Sequence, residues 1–66
     1  MNPINPAIGR KLRNLREERG YTQQQLSDRM NTAPSWISRC ESGANLTVQT
    51  LERFAKELRV DITELL

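Results

Sequence analysis

The stretch from Thr22 to Gly43 constrains the fold most, because its start and stop signals define two short helices with a tight break between them. Thr22 and Gln25 have the spacing of a capping box, in which each side chain accepts a hydrogen bond from the backbone N–H of the other residue. A helix therefore begins after Thr22, and Asn31-Thr32-Ala33-Pro34 ends it. Pro34 suits the first position of a second helix, which ends at Gly43, a residue that tolerates a left-handed backbone.

Two short helices joined by a turn of a few residues form a helix-turn-helix, whose second helix can lie in the major groove of DNA. One side of the second helix carries Ile37, Cys40 and Glu41, and much of the rest carries Ser35, Ser38 and Arg39. This spacing permits a DNA-binding motif at about residues 22–43 without requiring one.

The identities of individual residues are more specific than the spacing. The informative positions are Arg16, Gly20-Tyr21-Thr22-Gln23, Leu26-Ser27, Ile37-Ser38-Arg39-Cys40-Glu41-Ser42-Gly43, Thr50-Leu51, Ala55 and Leu58. Together they resemble the Cro/C1-type (XRE-like) family of helix-turn-helix DNA-binding regulators, over roughly residues 8–66. Within that family, Asn45-Leu46-Thr47 looks most like the controller proteins of restriction-modification systems. The sequence departs from the family at Asn31, where glycine is common, and at Ala33, where the cap is usually serine or threonine.

Three further helices are predicted from caps and apolar spacing. The first begins at Asn5-Pro6 and ends at Gly20, the fourth begins after Thr47, and a short fifth helix occupies Ile62 to Leu66. The inward-facing residues are Ile8, Leu12 and Leu15 in the first helix and Leu51, Phe54, Ala55 and Leu58 in the fourth. The sequence shows no strand signal and no internal repeat, so we expect one all-α domain of five helices over residues 1–66. The resemblance implies that this domain is lambda-repressor-like.

The length and composition narrow the classes of function. A chain of 66 residues is near the lower limit for one stable core, so oligomerisation is expected. The sequence has neither an apolar run of about 20 residues nor the pattern of a signal peptide, which predicts a cytoplasmic protein without membrane contact. It contains no histidine, the usual general base and commonest transition-metal ligand. We therefore expect neither an enzyme nor a protein with a metal or other cofactor.

The formal net charge is only +2, but basic residues crowd the first helix and flank the motif. They are Arg10, Lys11, Arg13, Arg16 and Arg19 in that helix, with Arg29 and Arg39 beyond it. A mild excess of this kind permits nucleic-acid binding. The resemblance also implies that Arg16 forms a partly buried ion pair with Glu41. The alternative is that both charges are solvated.

The candidate DNA contacts lie on and beside the second helix of the motif. Arg39 is the first candidate for reading bases, because its two donors match the O6 and N7 acceptors of guanine, and Ser35 and Trp36 are the other candidates. Candidate backbone contacts are Gln23, Ser38, Asn45, Thr22 and Pro34. For Gln23 the alternative is a merely polar helix former, and for each serine it is a solvated hydroxyl.

Two residues of the second helix have structural interpretations as well. Trp36 adjoins the core residue Ile37, so its indole is expected to pack at the edge of the core with a rim toward DNA. Cys40 is interpreted as a small buried hydrophobic residue, with a reactive thiol as the alternative.

The resulting hypothesis is a sequence-specific transcriptional regulator that binds double-stranded operator DNA as a homodimer. Little of the chain is left for a ligand-sensing domain, so regulation would come through protein concentration, site arrangement or a partner protein. The predicted dimer interface is Leu46, Ile62, Leu65 and Leu66. The alternative from another class is an antitoxin or other helical protein-interaction module that uses Leu65 and Leu66 to bind a partner protein.

Overall fold

The computed structural model describes residues 5–44 and 46–66, which form four α-helices and one short 3-10 helix. The α-helices are α1 (Pro6–Glu18), α2 (Gln23–Met30), α3 (Pro34–Glu41) and α4 (Val48–Leu58), and the 3-10 helix spans Ile62–Glu64. Neither described range contains a strand. The predicted all-α class and the helix-turn-helix of α2 and α3 are therefore confirmed.

Each α-helix begins at a residue that the sequence marks as a start. The Oγ1 of Thr22 accepts a hydrogen bond from the Gln25 N–H at 3.0 Å, and the Oε1 of Gln25 accepts one from the Thr22 N–H at 2.9 Å. The Oγ1 of Thr47 accepts a bond from the Thr50 N–H at 3.1 Å. These bonds satisfy backbone donors that have no partner inside the helix. Helix α1 has both a cap, in which the Oδ1 of Asn5 accepts from the Ile8 N–H at 3.4 Å, and proline in the first turn. Helix α3 has proline in the first turn and no side-chain cap.

The core lies between the four helices, with α3 packed against both α1 and α2. Its buried apolar side chains are Leu12, Leu26, Met30, Ile37, Cys40, Leu51, Phe54, Ala55, Leu58 and Leu65. Cys40 is fully buried, and this burial raises the pKa of its thiol to about 11, so the thiol stays protonated at neutral pH. The interpretation of Cys40 as a small buried hydrophobic residue is therefore confirmed.

Helix α1 crosses the end of α3 at very short range. A Cβ atom at Gly9 would lie 2.2 Å from the carbonyl oxygen of Glu41 and 2.8 Å from the nitrogen of Gly43. Just before α1, the Asn5 N–H donates to the Gly43 carbonyl at 3.1 Å. Gly43 has a φ of +101°, which its lack of a side chain permits. The start of α1 is thus docked directly on the backbone that ends α3.

The predicted fifth α-helix over Ile62 to Leu66 is wrong. The segment makes i to i+3 bonds, from the Glu64 N–H to the Asp61 carbonyl at 2.9 Å and from the Leu65 N–H to the Ile62 carbonyl at 2.9 Å, so it forms a 3-10 helix. The carboxylate of Asp61 caps it by accepting from the Thr63 N–H at 3.0 Å. This tight turn directs Leu65 into the core.

Candidate nucleic-acid interface

The outward face of α3 is polar and exposed. Ser35, Ser38, Arg39 and Ser42 are all exposed, whereas Ile37 and Cys40 are fully buried. At about 100° per residue, the four exposed positions fall within an arc of about 100° around the helix axis. The helix and its C-cap Ser42 therefore present one cation and three hydroxyls on a single side, and the Ser42 hydroxyl already donates to the Arg39 carbonyl at 2.6 Å.

The Trp36 side chain packs mainly at the edge of the core. Its ring stacks on Phe54 with a centroid distance of 5.5 Å and an interplanar angle of 3°. The guanidinium carbon of Arg53 lies 5.5 Å from the centroid of the same ring. The side chain remains half-buried, so only part of the indole is left for a contact outside the protein.

A buried ion pair ties α1 to the end of α3. The guanidinium of Arg16 donates from Nε and NH2 to the two carboxylate oxygens of Glu41, the second bond at 3.2 Å, and from NH1 to the Tyr21 carbonyl at 2.7 Å. The side chains of Arg16 and Glu41 are only 8% and 6% exposed. The two charges are therefore buried and paired, and the alternative that both are solvated is wrong.

Gln23 belongs to the same network. Its Nε2 donates to the Oε1 of Glu41 at 3.0 Å, and the side chain is half-buried. The sequence predicts for Gln23 only a phosphate contact or a polar position in the helix. The link to Glu41, 18 positions along the chain, has no signal in local spacing. The second N–H of the Gln23 side-chain amide takes no part in the bond to Glu41.

The residues that start α2 and α3, and the turn between these helices, are largely occupied by structural roles. The hydroxyl and N–H of Thr22 both take part in the capping box, and Pro34 has no N–H to donate. Asn31 adopts a left-handed φ of 59°, which asparagine accepts more readily than most residues. Thr22 and Pro34 thus have structural roles at the starts of α2 and α3, whether or not they also contact DNA.

The backbone N–H groups that follow α3 are used to end the helix. The sequence analysis predicted Asn45 as a DNA backbone contact, and Asn45 lies outside the described residues. The neighbouring N–H groups are already used, because Gly43 donates to the Cys40 carbonyl at 2.9 Å and Ala44 donates to the Arg39 carbonyl at 3.0 Å. These two bonds end α3 and leave neither N–H directed to a ligand.

The predicted dimer residues are not one exposed group. Leu65 is fully buried in the core of the subunit, so its expected exposure is wrong. Leu46 and Ile62 are half-buried against the core, and Leu66 is 61% exposed. Val48, which the sequence analysis did not select, is 62% exposed at the start of α4. The apolar surface therefore includes α4 as well as the carboxy-terminal segment.

Within residues 5–44 and 46–66, no group of three or more cysteine, aspartate or glutamate side chains is arranged to hold a metal ion. In the same ranges, none of the helices has both the length and the apolar character needed to cross a membrane.

Comparisons with known proteins agree with this arrangement. A family profile described as a helix-turn-helix domain matches residues 7–66. The chain is 39% identical over 59 residues to the competence pilus inhibition repressor of Acinetobacter baylyi, covering 88% of this chain and 54% of the relative. It is 37% identical over 60 residues to the HTH-type transcriptional regulator SlrR of Bacillus subtilis, covering 88% of this chain and 40% of the relative. The chain thus spans about half or less of the length of these relatives.

Two solved structures share the fold. The restriction-modification controller protein C.AhdI from Aeromonas hydrophila has a TM-score of 0.80 and 27% identity, over 89% of this chain and 87% of that chain. The clp gene regulator ClgR from C. glutamicum also has a TM-score of 0.80, at 23% identity, over 89% of this chain and 78% of that chain. With the family match over nearly all of the described residues, these similarities show that the chain belongs to the helix-turn-helix domain family of XRE-like DNA-binding transcription regulators.

Proposed function

We propose that the protein binds operator DNA sequence-specifically as a homodimer, with α3 in the major groove. The observation that carries the proposal is the polar arc of α3, because a cation and three hydroxyls lie on the side opposite the two fully buried residues. A helix with this division can enter the groove without uncovering the core.

The exposed side chains divide by the chemistry they offer. Arg39 reads a guanine through two hydrogen bonds, and Ser35 bonds a base edge or a phosphate. Ser38 and the free N–H of Gln23 bind backbone phosphates, and Thr22, Pro34 and Asn45 are the other proposed contacts to the same backbone. Trp36 contributes an indole edge at most, since one face of its ring stacks on Phe54.

Arg39→Ala is expected to weaken binding to the operator by about 1–3 kcal/mol and to relax the preference at one base pair in each half-site. Because Arg39 is exposed, the fold should be unaffected. Selection of bound sites from a randomised DNA pool measures the preference, and titration of the selected site measures the affinity.

The control for Arg39 is Arg29→Ala, which removes an exposed arginine that pairs with Glu57 on α4. This control should keep both the preference and the affinity. If Arg39→Ala weakens binding but keeps the wild-type preference at every base pair, Arg39 is a backbone contact and the base-reading assignment fails.

We propose further that two copies pair through the apolar surface of α4 and the carboxy-terminal segment. Ile62 lines a mainly apolar cleft of about 450 Å³ together with Gln49, Glu52, Arg53, Ala55 and Lys56. Val48 precedes Gln49 and is largely exposed, as is Leu66. Exposed apolar side chains on a domain of this size are suited to a partner, and the proposed dimer requires its two α3 helices to lie about one DNA turn apart.

Leu66→Asp and Val48→Asp are each expected to shift the sedimentation profile from dimer to monomer and to reduce operator affinity. Both side chains are exposed, so the subunit fold should persist, as circular dichroism would check. Leu65→Asp is unsuitable because it would place a charge in the core. A monomeric wild-type protein, or dimers unchanged in both variants, would reject this interface.

The competing function is a protein-interaction module that uses the apolar Leu65-Leu66 end. Burial of Leu65 removes one of the two side chains that this hypothesis requires. A gel shift with non-specific duplex distinguishes the two functions, because phosphate contacts make the affinity fall as salt rises. Absence of binding at low salt would favour the interaction module.

A further inference from the structure

We propose that the cleft between α1, the start of α2 and α3 holds one phosphate of the DNA backbone, with Arg10 and Arg13 as its cations. The proposal rests on the proposed function and adds a contact outside the helix-turn-helix itself. The cleft has a volume of about 260 Å³ and is lined by Arg10, Arg13, Gln23, Ser38, Glu41 and Ser42.

The two arginines are placed for a shared ligand. They are three residues apart on α1, so they project from the same side of that helix, and both are exposed. The Nε of Arg13 lies 3.5 Å from the Oε2 of Glu17, and these side chains are 63% and 53% exposed. An exposed pair of this kind is worth little, so the guanidinium can turn to a phosphate at small cost.

The one acidic side chain of the cleft is already neutralised. Glu41 receives two hydrogen bonds from Arg16 and one from Gln23, and its side chain is only 6% exposed. A bare carboxylate at this position would repel a phosphate, whereas a carboxylate paired with arginine exerts little net field on it. The exposed charge of the cleft is therefore that of Arg10 and Arg13.

The cleft also continues the proposed DNA-binding face. Ser38 and Ser42 belong both to its lining and to the outward arc of α3. Gln23 is the first residue of α2, where free backbone N–H groups and the helix dipole favour an anion. The Ser38 hydroxyl and the free N–H of Gln23 would then donate to the phosphate that the arginines neutralise. A DNA strand beside α3 can thus reach α1 without leaving this surface.

The test is the salt dependence of duplex affinity for the Arg10→Ala, Arg13→Ala double variant. The plot of log K against log salt should become shallower by about one, as expected for loss of one neutralised phosphate, while the base preference stays that of wild type. The double variant Arg10→Lys, Arg13→Lys should keep the wild-type slope.

The control is the double variant Arg29→Ala, Lys56→Ala, which removes the same number of positive charges. These two residues line a different groove, between α2 and α4. It should leave the slope unchanged. If wild-type protein binds DNA and the alanine variant at positions 10 and 13 retains its slope, the cleft assignment alone is overturned. If the control lowers the slope by the same amount, the cleft assignment is also overturned, because the effect then comes from the net charge of the protein. If wild-type protein binds no duplex at low salt, the proposed function itself fails.

Discussion

Arg16→Ala is expected to destabilise the fold by about 3–5 kcal/mol, because it leaves the buried carboxylate of Glu41 without its cation. The variant also removes the donor to the Tyr21 carbonyl, which joins α1 to the start of the helix-turn-helix. Folded proteins have about 0.05–0.15 kcal/mol of stability per residue, which gives about 3–10 kcal/mol for a chain of 66 residues. The loss is therefore a large share of the whole, and urea unfolding followed by circular dichroism would measure it.

The matched control is Arg13→Ala, because Arg13 pairs with Glu17 on the surface of the same helix. Its cost should be about 0.3–0.5 kcal/mol, as for exposed pairs one helical turn apart. The double replacement Arg16→Met, Glu41→Leu should recover most of the stability, since it leaves no buried charge unpaired. Equal costs for Arg16→Ala and Arg13→Ala would show that the buried geometry contributes nothing.

Gly9→Ala is the second substitution with a large expected effect on stability. It should destabilise the fold, although helix propensity alone predicts that alanine stabilises a helix. In an ordinary helix interior, alanine in place of glycine stabilises by roughly 0.5–1 kcal/mol. Here the new Cβ would lie 2.2 Å from the carbonyl oxygen of Glu41, a backbone atom that no side-chain rotation can move. We expect destabilisation of at least about 1–3 kcal/mol, the usual cost of overpacking, together with displacement of α3 from α1.

Asn14→Ala is the control for Gly9→Ala, since Asn14 is exposed on the same helix. Alanine there should be neutral or slightly stabilising by its propensity. Unfolding midpoints of the two variants in urea make the comparison. A Gly9→Ala protein as stable as wild type would mean that α1 and α3 can separate without loss, contrary to the close docking described above.

Sequence reasoning was most accurate where the signal is local. The capping box of Thr22 and Gln25 and the cap at Thr47 depend on residues three positions apart, and the structure contains these bonds. The pairing of Arg16 with Glu41 is not local, and it came from resemblance to a family. Its geometry then accounts for why both charges tolerate burial.

The features that sequence reasoning missed depend on how distant segments pack. Leu65 is buried because a 3-10 turn directs it into the core, whereas the sequence predicts a short fifth helix and places Leu65 in the dimer interface. Gln23 bonds Glu41 across 18 positions of sequence, and the core-edge position of Trp36 was predicted but its partner Phe54, also 18 positions away, was not. No periodicity within a single helix contains such information, so these partners needed the structure.

Helices α2 and α3 are each eight residues long, below the roughly 12–15 residues that a helix needs to persist alone in water. The proposed DNA-binding surface therefore exists only while the domain is folded, so under the proposed function operator DNA is a ligand of the native state alone. At a free DNA concentration 100 times the Kd, such a ligand raises the free energy of unfolding by about 2.7 kcal/mol. Core substitutions far from DNA should consequently give heat-sensitive regulation that excess operator rescues.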